Sequence, residues 1–162
     1  MKNIILSPWS KTFDSGKENP KNYPHWKELV QFLHQEGFYL IQVGTVNEKM
    51  IEGVDEFVAD KHFSELEPLI RECTTWISVD NFFPHFCNCV DPSKWGIVLW
   101  SKSDPNLFGY KQNINLLKSK KYLRSNQFGI WLNEPYMQEA FVRPQMVMST
   151  LRQKLEITES VH

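Results

Sequence analysis

The sequence has no apolar run approaching the about 18 residues that a membrane span needs, and its opening MKNIILSPWS lacks the length and cleavage site of a signal peptide. A cytoplasmic protein without a membrane span is expected. Cysteine is scarce: Cys73, Cys87 and Cys89 are odd in number and form no CxxC, so neither a disulfide framework nor a zinc ribbon is indicated and reduced thiols are the default. A dominant charge is also missing. The formal net charge of −1 gives no general pull toward nucleic acid or an anionic membrane. There is no internal repeat and no linker.

What is present is a globular composition. Hydrophobic residues make up 41% and aromatics 14%, with six Trp and eleven Phe, which excludes a disordered chain. At 162 residues a chain buries roughly two thirds of its extended surface, so one domain over residues 1–162 with one core is expected. Apolar runs at 3–7, 38–44, 55–60, 74–79 and 95–100 read as strands. Between the first two, Trp26, Leu29, Val30 and Leu33 share one helix face, with Pro24 opening the helix and Gly37 closing it. Leu66, Leu69, Ile70 and Cys73 repeat that spacing, with Ser64 and Glu67 placed as a capping box or, alternatively, a start at Pro68. FFPHFCNCV reads as a short third helix, and beyond residue 101 only RPQMVMSTLRQKLE reads as another. Strands alternating with helices imply an α/β fold, a single Rossmann-like domain with a mostly parallel open sheet.

Ligands of such sheets bind outside the carboxyl ends of the strands, where loops meet helix N-termini. That rule selects the loop after Ser7, Gly44 with Thr45, Asp80 through His85, and the loop after Trp100. In SVDNFFPH, Asp80 is placed to accept from a ribose or sugar hydroxyl, while Asn81 caps the next helix and His85 lies in its first turn. A purely structural role, Asp80 and Asn81 as caps and His85 as a packed histidine, fits the same spacing, and both readings stay open. Trp9 also has two readings, stacking on a base or sugar, or covering the sheet edge. His85, Cys87 and Cys89 offer soft metal ligands, but only His85 and Cys89 share a helix face and no fourth ligand is evident, so no metal is expected. KSKKYLR, at 118–124, reads as a solvated basic surface rather than a nucleic-acid contact.

Taken together these motifs resemble the glycosyltransferase family 9 heptosyltransferases in their C-terminal, donor-binding half, over about residues 3 to 110. Lys21, Tyr23 and Pro24 of KNYP are similar to the family's Lys-x-Trp-Pro element, and Val43 and Gly44 to its strand-ending glycine. DKHFSEL, at 60–66, resembles a Lys-x-Ser-Leu-like stretch before a helix. DNFFPH is similar to the Asp-Ser/Thr-Gly-x-x-His hallmark, and SKSDP to a loop ending in Thr-Asp-Pro. The resemblance implies one lobe of a GT-B glycosyltransferase that binds a nucleotide-sugar as donor substrate, with no separate cofactor. It implies that Lys21 contacts a phosphate or the sugar, that Phe63 lies beside the base, that Asp80, Asn81, Phe82 and His85 line the diphosphate and sugar, and that Thr45 or its neighbours face the ribose. Phe82 stands where the family has glycine, and a side chain there obstructs close approach of the backbone to phosphate. Family enzymes take their acceptor and catalytic base from an N-terminal domain for which this chain has no room, so no base is assigned. A partner chain or homo-oligomer is the expected source of the acceptor side. The alternative is a non-catalytic nucleotide-binding or interaction module derived from such a lobe.

Overall fold

A computed structural model describes residues 2–160. Its six strands are β1 (Asn3–Ser7), β2 (Tyr39–Gly44), β3 (Glu56–Ala59), β4 (Thr75–Val79), β5 (Ile97–Trp100) and β6 (Ile114–Leu117). They form one sheet in the order β3-β2-β1-β4-β5-β6, and every neighbouring pair is parallel. The helices are α1 (Trp26–Gln35), α2 (Phe63–Glu72), α3 (Phe83–Val90), the short α4 (Pro105–Phe108) and α5 (Pro144–Ser160).

Side chains alternate across a strand, so each central strand feeds two apolar layers. Ile4 and Leu6 of β1, Ile77 and Val79 of β4, and Ile97 and Leu99 of β5 pack with Trp26, Leu29 and Leu33 of α1 and with Val147 and Leu151 of α5. Ile5, Trp76, Val98 and Trp100 point the other way, onto Leu66 and Ile70 of α2 and Phe83 and Cys87 of α3. Burial on both faces explains why these strands are continuous apolar runs in the sequence.

Two local features depart from the sequence expectation. The capping box of α2 is formed by His62 and Glu65, not by Ser64 and Glu67: His62 Nδ1 accepts from the Ser64 N–H at 3.2 Å, and Glu65 accepts from the His62 N–H at 2.9 Å. An imidazole acceptor does the work of the usual hydroxyl, and Pro68 sits inside the helix rather than opening it. The second departure is β6, which lies within the stretch read as irregular because the polar KQN and KSKK flank its four residues. The sheet itself, expected to be mostly parallel, is parallel throughout.

Gly96, just before β5, shows how tightly the α2/α3 layer is packed. A Cβ on Gly96 collides with the Trp76 indole, and the Gly96 carbonyl accepts from the Ile114 N–H at 2.8 Å to start the β5–β6 ladder. Gly96→Ala is expected to lower stability by about 1–3 kcal/mol, read as a fall in the urea midpoint at constant m-value.

Candidate functional site

The strand order reverses between β1 and β4, because the loop after β1 leads toward α1 on one face and the loop after β4 leads to α3 on the other. Adjacent parallel strands whose loops diverge leave a crevice at their carboxyl ends. A cavity of about 590 Å³ occupies this position, lined among others by Trp9, Lys21, Thr45, Glu48, Asp80 and Phe82. Hollows of about 310 Å³, toward Ser103 and Gln127, and about 300 Å³, toward Thr12 and Asn47, share lining residues with it and extend it along the sheet edge.

Asn81 holds the crevice together. Its amide nitrogen donates to Ser7 Oγ at 2.9 Å and to the Trp9 carbonyl at 3.1 Å, and its oxygen accepts from the Phe83 N–H at 2.9 Å and the Ser78 hydroxyl at 3.1 Å. Ser10 Oγ adds a bond to the Asp80 carbonyl at 2.9 Å. The polar capacity of Asn81 is thus spent inside the protein, on tying β1 to β4 and on starting α3.

Asp80 and Lys21 face each other across the cavity, with Lys21 Nζ 3.1 Å from Asp80 Oδ2 and the side chains only 14% and 22% exposed. The same ammonium lies 4.7 Å from the centre of the Trp131 ring. His85 is more exposed and bonds through Nδ1 to the Tyr110 hydroxyl at 2.8 Å. Thr45 lies at the cavity wall beyond β2. Phe63 is not among the lining residues: its ring stacks on Phe86 at 4.8 Å and lies 6.1 Å from Phe82, so it extends an exposed aromatic shelf that begins at the cavity. Phe82 has φ −68° and ψ −26°, an ordinary right-handed conformation that does not require glycine, and its exposed ring forms the inner end of that shelf. The first turn of α3 is short of donors, since the Phe83 N–H is taken by Asn81 and Pro84 has none. Trp9 donates its indole N–H to the Lys49 carbonyl at 2.7 Å, which fixes it as a cavity wall.

Two groups of residues escaped the sequence reading. Glu48 lines the cavity with its carboxylate laid over Gly44, where a Cβ would occupy the same space. Burial pushes its pKa up, against hydrogen bonds from Thr45 that pull it down. An acid following the glycine at a strand's carboxyl end was the available signal. The other group is a buried charge cluster: Lys102 and Arg124, 5% and 6% exposed, lie 3.5 Å and 3.6 Å from the Glu134 carboxylate. Lys17 Nζ donates to the carbonyls of Leu132 and Glu134, and the Arg124 guanidinium stacks on Trp131 at 4.0 Å. KSKKYLR is therefore divided: its three lysines are exposed, while Arg124 is buried and pins the 124–134 loop over the carboxyl end of β5. Behind Trp131 two buried cations, Lys102 and Arg124, thus share the one carboxylate of Glu134, and Arg124 Nη1 is buried without a hydrogen-bond partner. Among the described residues no group of three His, Cys, Asp or Glu is placed to hold a metal ion, and no helix is long and apolar enough to cross a membrane.

The architecture matches solved enzymes. E. coli ADP-heptose LPS heptosyltransferase II superposes with a TM-score of 0.72 at 17% identity, covering 98% of this chain and 47% of that one. The fold is that of a heptosyltransferase lobe. E. coli heptosyltransferase WaaC with ADP gives 0.58 at 16% identity over 94% of this chain and 43% of its own. The iron-containing dodecameric glycosyltransferase TibC of enterotoxigenic E. coli gives 0.58 at 12% over 88% and 36%. The chain spans less than half the length of each. No family model matches the sequence, and no curated protein matches it.

Removing the shared carboxylate strands two buried cations. Glu134→Ala is expected to cost about 3 kcal/mol in chemical denaturation and to alter the fluorescence of Trp131 as its loop detaches.

Proposed function

We propose that the chain is a glycosyltransferase-like lobe that binds a nucleotide-sugar or nucleoside diphosphate at the carboxyl edge of its sheet. The observation that carries this reading is the Lys21–Asp80 pair set in the cavity at the β1/β4 switch point, on a fold shared with enzymes solved with ADP or ADP-D-β-D-heptose. Lys21 gives up Asp80 to hold a phosphate, assisted by the exposed His85 side chain in the first turn of α3. Asp80, freed, accepts from a sugar hydroxyl. Thr45 and Glu48 receive the ribose, and the Phe82–Phe63 shelf receives the base. Charge developing on the leaving diphosphate is stabilised by Lys21 and the surplus positive charge behind Trp131. In this reading the protein works as half of a GT-B arrangement, and a partner chain or further copy presents acceptor and catalytic base. A non-catalytic module that binds the nucleotide without turnover is favoured instead by Phe82, which stands in place of the hallmark glycine.

Calorimetric titration of the purified chain with ADP, other nucleoside diphosphates and their sugar conjugates tests the proposal. Saturable binding is expected, with Lys21→Ala weakening it on the order of tenfold or more, as loss of a charge-assisted contact does. Phe82→Ala is expected to weaken nucleotide binding by about 1–3 kcal/mol and to leave inorganic pyrophosphate binding unchanged, because it removes the stacking surface and no phosphate ligand. Failure of the intact chain to bind any of these ligands sinks the reading. Binding without sugar release, even with a copurifying partner, selects the non-catalytic module.

A further inference from the structure

We propose that the open edge of β6 and the start of α5 form a docking groove for an extended, acidic segment of a partner protein; this stands independently of the nucleotide reading. β6 ends the sheet and pairs with β5 on one side only. In a parallel ladder each residue turns its N–H and C=O to the same side, and Ile114 donates to Gly96, so Asn115 and Leu117 turn theirs outward. Such an edge is a template for another strand unless something covers it. Beside it, between β6 and the first turns of α5, lies a groove of about 630 Å³ with an apolar floor of Leu116, Leu117, Val142 and Met146. Leu116 packs into the α1/α5 layer and Leu117 into the α2/α3 layer, so the groove wraps round the strand from one face of the sheet to the other.

The rim of the groove is basic. Lys118 and Arg143 line it and are exposed, and no carboxylate is among its lining residues. Lys118 Nζ bonds the Glu139 carbonyl, a neutral partner, at 2.8 Å. Both cations also reach the neighbouring His25, whose pKa is lowered first by burial and then by Arg143, with Lys118 adding to the effect and Glu28 opposing it. The N-terminus of α5, a 17-residue helix, brings its positive end to the same place. A strand edge, an apolar trough and a cationic end together fit a segment that pairs by its main chain, buries alternate apolar side chains and sets carboxylates against Lys118 and Arg143.

Fluorescence anisotropy of the full chain with a fluorescein-labelled peptide of alternating valine and glutamate tests this. Saturable, salt-sensitive binding is expected, weakened on the order of tenfold by Arg143→Glu and by Met146→Glu, and lost when lysine replaces glutamate in the peptide. Both substituted side chains are exposed, so the variants keep the parent melting temperature. The proposal is overturned if the acidic peptide does not bind, if the lysine peptide binds equally, or if Arg143→Glu leaves the affinity unchanged. It is also overturned if sedimentation reveals a dimer that Met146→Glu dissolves, because the occupant is then a second copy.

Discussion

The constraint on which the rest depends is the divergence of two neighbouring loops. β1 and β4 lie side by side and run the same way, yet one delivers the chain toward α1 and the other to α3 on the opposite face. The gap between them exposes backbone groups that require partners. Asn81 supplies partners for two of them, the Trp9 carbonyl and the Phe83 N–H, and with the same side chain joins the Ser7 and Ser78 hydroxyls. The cavity exists because this bridge closes the floor of the crevice and leaves its mouth open.

Electrostatics then shapes what the mouth accepts. The segment from Lys118 to Tyr136 has little regular structure, and buried charge does for it what a hydrophobic face does for a helix. Glu134 is the shared anion, Arg124 and Lys102 its cations, and the guanidinium also supports the Trp131 ring that lies beside Lys21. Leaving one buried cation in excess of its carboxylate costs stability. The aromatic shelf of Phe82, Phe63 and Phe86 offers a flat apolar surface on the other side, so charge and stacking flank the Lys21–Asp80 pair.

Much of this was legible along the chain for identifiable reasons. β1, β2, β4 and β5 are buried on both faces and read as apolar runs, and α1 carries its apolar residues at helical spacing. β6 was not legible, because an edge strand needs few apolar residues and Ile114, Leu116 and Leu117 are half-buried among polar neighbours. The α2 cap was misplaced because His62 is not a usual acceptor in that position. Glu48 escaped because its proximity to Gly44 is a fact of the turn after β2, and Arg124 because burial separates it from three lysines of the same run.

By itself the sequence determined the α/β class, the positions along the chain of the first five strands, and the strand ends beside which Thr45 and the Asp80–His85 stretch lie, because strand length and apolar periodicity are local properties of the chain. Tertiary structure alone decided that Lys21 meets Asp80, that Asn81 is consumed as a bridge, and that Phe63 lies one ring beyond the cavity. It also decided that Phe82 needs no glycine-like backbone. Those outcomes depend on the directions in which remote loops leave the sheet. Strand order sets those directions, and no local pattern encodes them.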